Sequence, residues 1–525
     1  MTGMLVLRAA LLAAALAVAG CAAVSPVGGD PGAGRSPADD RGVRDCLALF
    51  EELDRLALTT DTRDGAAYRV PGFPYLRTDR FTASFAADAV GDDAQWPAWV
   101  ERMRQLDAAA RAAEIANLPD TAFPVLHGLA RDALPASVET CGRRLAAATF
   151  DRPRLAAAAI VPDDYVTALR ALGLYPVSGI GIAAGIRRWE ADARAAFAAQ
   201  RHSPQSGVVT FQRYQPPAPP ASAEAALATA RAALAESPRD PLGVPQISAE
   251  ALERLFTAYA PIFAIATQSD SDRFGVLRWI DLQGLLAPGS DPLWLDVDTA
   301  VPAVYRRLAF TRFGRAVLPQ LIYSIWFSEH PAQDISDLHA GRLDGLVWRV
   351  TLDEQGMPLI YDSIQTSGRY AQFFPTARLR PLPPPADDPL AEWAFSPIDQ
   401  PIERWVDARQ LAGVTLFIAS STHRLVGVGR PDAVWGEPVV ENPSYRQIDD
   451  DSLRSLPLPL GGHRGIFDAA GLVPGTERLG RWVLWASGIQ SLGSMRQWGR
   501  QPTALVGRRH FDDADLLSKR YERLR

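Results

Sequence analysis

The sequence predicts an α+β protein, a mainly helical N-terminal half followed by a β-rich, antiparallel C-terminal half. Two observations predict it. Apolar residues recur at three- and four-residue spacing from about residue 43 to 205, and again between 222 and 266. Beyond about residue 300 they alternate with polar ones instead. The 525 residues are 47% hydrophobic and 22% charged, which excludes a mostly disordered or fibrous chain and leaves room for two or three domains. A formal charge of −6 gives no global pull toward nucleic acid, so none is expected as a partner.

The first element is an address. Arg8 is the only charge ahead of an apolar run from Ala9 to Gly20, the n-region and h-region of a secretory signal. That run is shorter than the ~20 residues a spanning helix needs. Val18-Ala19-Gly20-Cys21 resembles the bacterial lipobox, in which the cysteine is diacylated, the signal removed and the new amino group acylated. The alternative is an ordinary cleavable signal. Residues 1–20 are therefore expected as signal peptide and 21–42, rich in glycine and proline, as a flexible tether. Three acyl chains make a permanent membrane anchor. Ala22, in place of an aspartate, favours the outer membrane, with the body facing the periplasm.

Residues 43–214 are expected as a helical domain. Cys46, Phe50, Leu53 and Leu56 mark one helical face; Trp96, Trp99 and Met103 mark a second, and Val138, Cys141 and Leu145 a third. Val166, Leu169 and Leu172 begin a further helix, and Ile182, Ile186, Trp189 and Phe197 another. Val70 to Leu76, with two prolines and a glycine, reads as a loop or ordered extended segment. Once Cys21 is lipidated, an even pair of cysteines remains in a compartment that permits disulfides. A Cys46–Cys141 bridge is the expectation, two buried thiols the alternative. Residues 215–300 are a mostly helical connecting region, opened by the break QPPAPPAS at 215–222 and carrying helices near 222–236 and 248–266.

Residues 301–525 form the expected β-rich domain. Leu346, Trp348, Val350 and Leu352 alternate with Val347, Arg349 and Thr351, and a turn at 353–356 leads into 359–364, a hairpin signature. With Leu352 opposite Leu359, Arg349 faces Asp362 and Val350 faces Tyr361. Residues 320–327, 413–420, 424–429, 481–487 and 503–511 also read as strands, and the proline run 381–385 as a long crossing loop.

Motifs for chemistry are scarce. Helical metal signatures, CxxC pairs, phosphate loops and GxSxG are absent, so no cofactor and no metal are expected. Gly179 to Ala184 spells GxGxxA but lacks the strand before it and the acid after it that a dinucleotide site needs. Asp270-Ser271-Asp272 and Asp296-Val297-Asp298 lack the calcium-loop spacing and read as caps or turns. Glu329 and His330 with Asp337 and His339 are the densest polar group; they have the chemistry to bind metal or shuttle protons, with solvated loop side chains as the simpler reading. His423 lies in a turn between strands, and Arg349 and Asp362 either line a cleft or form a cross-strand ion pair. The candidate acid–base set is thus Glu329, His330, His339, Arg349, Asp362 and His423. Tryptophans concentrate beyond residue 300, where sheet packing is the default and carbohydrate or peptide stacking the functional alternative.

Phe73 to Phe81, Tyr323 to Phe327 and Leu343 to Leu352 are similar to segments of an uncharacterised proteobacterial lipoprotein family, through most of the mature chain. The resemblance implies no assigned activity. Similar proteins carry a histidine- and cysteine-rich run after the second strand of the hairpin. Gln365 to Ala371 has neither residue type here, so no ligand residue is carried over.

The expectation is an outer-membrane-anchored, periplasm-facing lipoprotein. It would serve the envelope by binding or scaffolding, toward another envelope protein or a cell-wall or carbohydrate ligand. The alternative is an envelope hydrolase whose acid–base residues gather from the β-rich half.

Overall fold

Helices dominate the N-terminal half and mostly antiparallel sheets the C-terminal half, in an α+β arrangement. The computed structural model describes residues 41–525 except 126–128, 203–210, 218–222, 284–290, 336, 387, 389, 407–412, 431–442 and 525. Residues 1–40 (with Cys21 and most of the tether), part of the 215–222 break, His127, Trp435 and the His202 side chain lie outside that description. Asp45–Arg525 forms one compact unit. Among the described residues no helix is long and apolar enough to cross a membrane.

Helix α1 (Arg41–Thr59) buries Cys46, Phe50, Leu53 and Leu56, as its spacing dictates. The Val70–Leu76 segment is an ordered hairpin of β1 (Tyr68–Val70) and β2 (Phe73–Thr78), turning at Gly72 with φ +81°. Helix α2 (Gln95–Asn117) packs on β2, and its Trp99 indole donates to the Thr82 carbonyl, just past the hairpin, at 2.8 Å. The buried Arg77 of β2 is held by Asp107 at 3.1 Å and Glu114 at 2.8 Å, both on α2. Helix α3 (Leu134–Ala147) carries Cys141, which forms a disulfide with Cys46 at a Cα–Cα distance of 5.1 Å. Then come α4 (Thr167–Leu172), the long α5 (Tyr175–His202), β3 (Phe211–Tyr214), α6 (Ala223–Ala235) and α7 (Ala249–Ala258).

The helix expected over 248–266 stops at Ala258. Pro261 removes a backbone donor and disfavours helical geometry before it, and Ile262–Ala266 becomes β4, buried at every position. A hairpin of β5 (Val276–Asp281) and β6 (Leu293–Asp298) precedes the main sheet.

That sheet contains β7 (Ala303–Phe313), β8 (Ala316–His330), β9 (Gly341–Leu352), β10 (Pro358–Gln365) and β11 (Gln372–Pro375), joined as antiparallel neighbours. β12 (Leu379–Pro381) starts the proline run and pairs with Tyr521–Arg523. β13 (Thr415–Ile418) and β14 (Leu425–Gly429) complete a second sheet of order β14-β13-β4-β3, with β13 parallel to β4. β15 (Arg446–Asp449) lies parallel to β7 at the edge of the first.

Period two places Leu321, Tyr323, Ile325 and Phe327 of β8 on the face shared with the second sheet and α5–α7. Leu318 and Ile322 point to the opposite face, against Phe511 and Leu517. Both faces are covered, so β8 and β9 are buried almost throughout. Trp348 belongs to the first of these cores and Trp326 to a separate one with Leu277, Leu295 and Leu453, which removes both from any stacking surface.

In the hairpin, Arg349 faces Asp362 and Val350 faces Tyr361, as expected. A bulge between Pro358 and Ile360 sets Leu352 opposite Pro358 rather than Leu359. Two expected strands do not form. Residues 481–487 make a short helix, α8 (Gly480–Val483), and a 3-10 turn ending at Gly488 with φ +84°; Trp482 and Val483 stay exposed while the small Ala486 and Ser487 are buried. Residues 503–511 fold into a loop around Gly507, closed by the Thr503 amide donating to the Arg509 carbonyl at 2.7 Å.

Candidate functional site

The last residue of β8, the fourth of β9 and the β13–β14 turn converge on one point. His330 Nδ1 lies 3.0 Å and His423 Nδ1 3.1 Å from the same oxygen, Oδ2 of Asp344. Asp344 Oδ1 accepts the Gly345 amide at 2.9 Å. All three side chains are buried. The outer ring nitrogens also face carboxylates. His423 Nε2 is 3.5 Å from Asp272 Oδ1, and His330 Nε2 is 3.9 Å from Asp337 Oδ2.

The backbone holds this centre under strain. Leu343 (φ +52°), Ser421 (φ +58°) and His423 (φ +47°) occupy the left-handed region without being glycine, a conformation that costs energy and clusters at functional sites. The Ser421 amide donates to Asp272 Oδ1 at 2.6 Å, and Asp272 Oδ2 accepts from Gln268 and Ser269, so the 3-10 turn after β4 fixes the β13–β14 turn. Phe327 stacks on the His423 ring at 3.8 Å and 5°. Arg478 closes the other side, donating to the Leu343 carbonyl and lying where a side chain on Gly341 would stand.

Burial opposes charge on Asp344, but its bonds to His330 and His423 win and hold it well below the usual carboxylate range. Burial works on Asp272 in the same way; His423 and three backbone amides bring it down to about 2. Burial disfavours charge on His423, and the two carboxylates outweigh it and raise its pKa. His339 goes the other way. Burial first, then Arg369 and His330, push it down to about 3, so it is neutral.

His339 connects the centre to a cavity of about 630 Å³. Its ring centroid is 6.4 Å from that of His330, and its Nδ1 accepts from Arg369. The apolar wall is a face of α5 (Ile182, Ile186 and Trp189) opposed by Ile489 and Leu492. Arg369 and Arg424 lie by Tyr370, their guanidinium carbons 5.4 and 5.7 Å from its ring centre. Arg369 Nη2 and Arg424 Nε have no hydrogen-bond partner among the described residues. Val483 lines the cavity while remaining largely exposed, so the apolar lining runs out to the surface.

Comparison with family models, with curated proteins and with solved structures found no match to this chain. The site is therefore read from its own chemistry.

Of the six candidate residues, His330 and His423 meet at the centre and His339 stands beside it. Glu329, the neighbour of His330, points into solvent. Arg349 and Asp362 line no cleft; they form a buried ion pair elsewhere on β9 and β10. His330 is not the solvated loop residue expected, because β8 runs on to include it. The reading of Asp270–Asp272 as a cap holds, since Ser269 and Asp272 form a capping box, yet Asp272 also orients His423. Asp344 was the residue sequence reasoning missed. Its signal is a lone acid inside the apolar run of β9, where a polar partner must be found on burial.

Proposed function

We propose that this chain is a lipid-anchored outer-membrane protein, facing the periplasm, that binds an amphipathic anion: an apolar chain ending in a carboxylate or phosphate. The observation that carries the ligand class is the cavity, with its apolar wall on α5 and the Arg369 and Arg424 side chains beside Tyr370 in its lining. A ligand pocket of several hundred Å³ with few polar groups fits a molecule whose apolar part fills the wall and whose head takes the cations. The anchor rests on the Cys21 sequence pattern, and the Cys46–Cys141 disulfide suits an oxidising compartment.

A photoactivatable palmitic acid added to membranes carrying the full chain tests the ligand. Wild type is expected to label within α5; the pair Arg369→Gln and Arg424→Gln, or Gly185→Leu, which puts bulk into the cavity, removes most of the labelling. Equal labelling of all three proteins overturns the reading. Cys21→Ala with membrane fractionation and fatty-acid analysis tests the anchor separately.

A second reading, an envelope hydrolase, is favoured by the convergence of His330 and His423 on Asp344 behind the cavity. Hydrolysis of a long-chain p-nitrophenyl ester that disappears in His423→Gln supports it. No turnover by the wild type rejects it.

A further inference from the structure

We infer that His330, Asp344 and His423 form a site for one divalent transition-metal ion, with zinc the best match to the donors. The inference does not depend on the cavity ligand. Two imidazole nitrogens and one carboxylate oxygen are a donor set that zinc takes in sites with an open fourth position. The three side chains offer ligand atoms that all lie within 4.8 Å of one another. The Nδ1–Oδ2 separations are 3.0 and 3.1 Å. Ligands at about 2.0–2.1 Å in a tetrahedral shell stand roughly 3.3 Å apart, so both nitrogen–oxygen edges are within a few tenths of an ångström of that spacing, and the rings must turn from Oδ2 toward the ion.

The surroundings supply an independent argument. A metal-bound imidazole ordinarily gives its other N–H to a carboxylate, which fixes the tautomer and the ring. Here His423 turns Nε2 toward Asp272 and His330 turns Nε2 toward Asp337, each with Nδ1 aimed at the shared point. Among the described residues the buried His423 Nε2 has Asp272 Oδ1, at 3.5 Å, as the carboxylate it faces. Nε2 can thus hold its proton toward Asp272 while the proton that a metal displaces from Nδ1 leaves to solvent. His339, which lines the cavity, is the side chain that stands between it and the centre, its ring centroid 6.4 Å from that of His330.

The test uses the full chain solubilised in a non-ionic detergent, stripped with a chelator and titrated with Co²⁺ and with Zn²⁺. One equivalent of Co²⁺ is expected to bind with visible d–d absorption, to be displaced by Zn²⁺, and to raise the unfolding temperature. His330→Gln and His423→Gln each weaken binding by about 100-fold or more. Asp272→Asn, a positioning change, weakens it by about 10–100-fold. His463→Gln, at an exposed histidine, leaves it unchanged. Absence of stoichiometric binding by the wild type overturns the inference whatever the variants do. So does wild-type affinity in both histidine variants, which identifies the centre as a metal-free hydrogen-bonded trio.

Discussion

Arg349 and Asp362 form a two-pronged ion pair across β9 and β10, Nε to Oδ1 at 2.8 Å and Nη2 to Oδ2 at 3.0 Å, with neither side chain reaching solvent. The remaining guanidinium nitrogen donates to the Phe511 carbonyl, and the Phe511 ring lies 3.7 Å from the guanidinium carbon. Burial pushes the Asp362 carboxyl up while Arg349 holds it down. Removing one partner leaves the other charge buried and alone. Asp362→Ala is therefore expected to cost about 3–5 kcal/mol, whereas replacing both residues by apolar ones of similar volume costs much less. Urea unfolding of the two variants checks this. A single variant as stable as the double one rejects it.

The Cys46–Cys141 disulfide joins α1 to α3 across a separation of 95 residues. A bridge closing so long a loop restricts the unfolded chain, by up to about 4.7 kcal/mol in the chain-entropy model. Replacing both cysteines by serine is expected to cost about 2–5 kcal/mol, and reducing agent should lower the unfolding temperature of wild type but not of the variant. Insensitivity of the wild type to reductant is the contrary result.

The hairpin register was legible because Leu346, Trp348, Val350 and Leu352 recur at every second position of β9, and the opposed Arg349 and Asp362 satisfy each other. The helix-to-strand change at 258–262 was less so. Tyr259 and Phe263 continue the four-residue spacing of α7, and only Pro261 signals the break. The centre could not be read from spacing at all. His330 and Asp344 come together because β8 and β9 are neighbours, but His423 arrives from a second sheet whose strands β4 and β13 lie far apart in sequence. A pairing of that kind leaves no local pattern. What the sequence did contain was the polar exception, Asp344 in an apolar strand, and histidines of unexplained placement.

Gly181 and Gly185 sit inside α5 on the face that lines the cavity, and a Cβ at either meets nothing within 4 Å. Glycine in a helix interior is destabilising by roughly 0.5–1 kcal/mol relative to alanine. Gly181→Ala and Gly185→Ala are each expected to raise stability by about that amount, read as a higher urea midpoint. A lower midpoint in both would mean that the α5 face is packed rather than open.

His510 provides a pH dependence with a definite sign. Its Nε2 lies 3.1 Å from Asp164 and 3.8 Å from Asp163, its Nδ1 3.6 Å from Asp513, and its ring packs edge-on to Tyr165. Burial disfavours the charged ring and Arg80 adds to that, but Asp164, Asp513 and Asp512 outweigh both and raise the His510 pKa. A raised histidine stabilises the fold fully below its unfolded pKa of about 6.5, and the contribution fades as pH climbs through the folded value. Asp164 and Asp513 are shifted the opposite way: burial raises them and His510 more than reverses it. Their contribution is present above about pH 4 and fades as pH falls through their lowered values. The cluster is thus at full strength between about pH 4 and 6.5. Urea midpoints measured from pH 5 to 9 should decline more for wild type than for His510→Gln, the slope common to both coming from other groups. Parallel curves would show that His510 is uncharged throughout and that its carboxylate neighbours do not hold a proton on it.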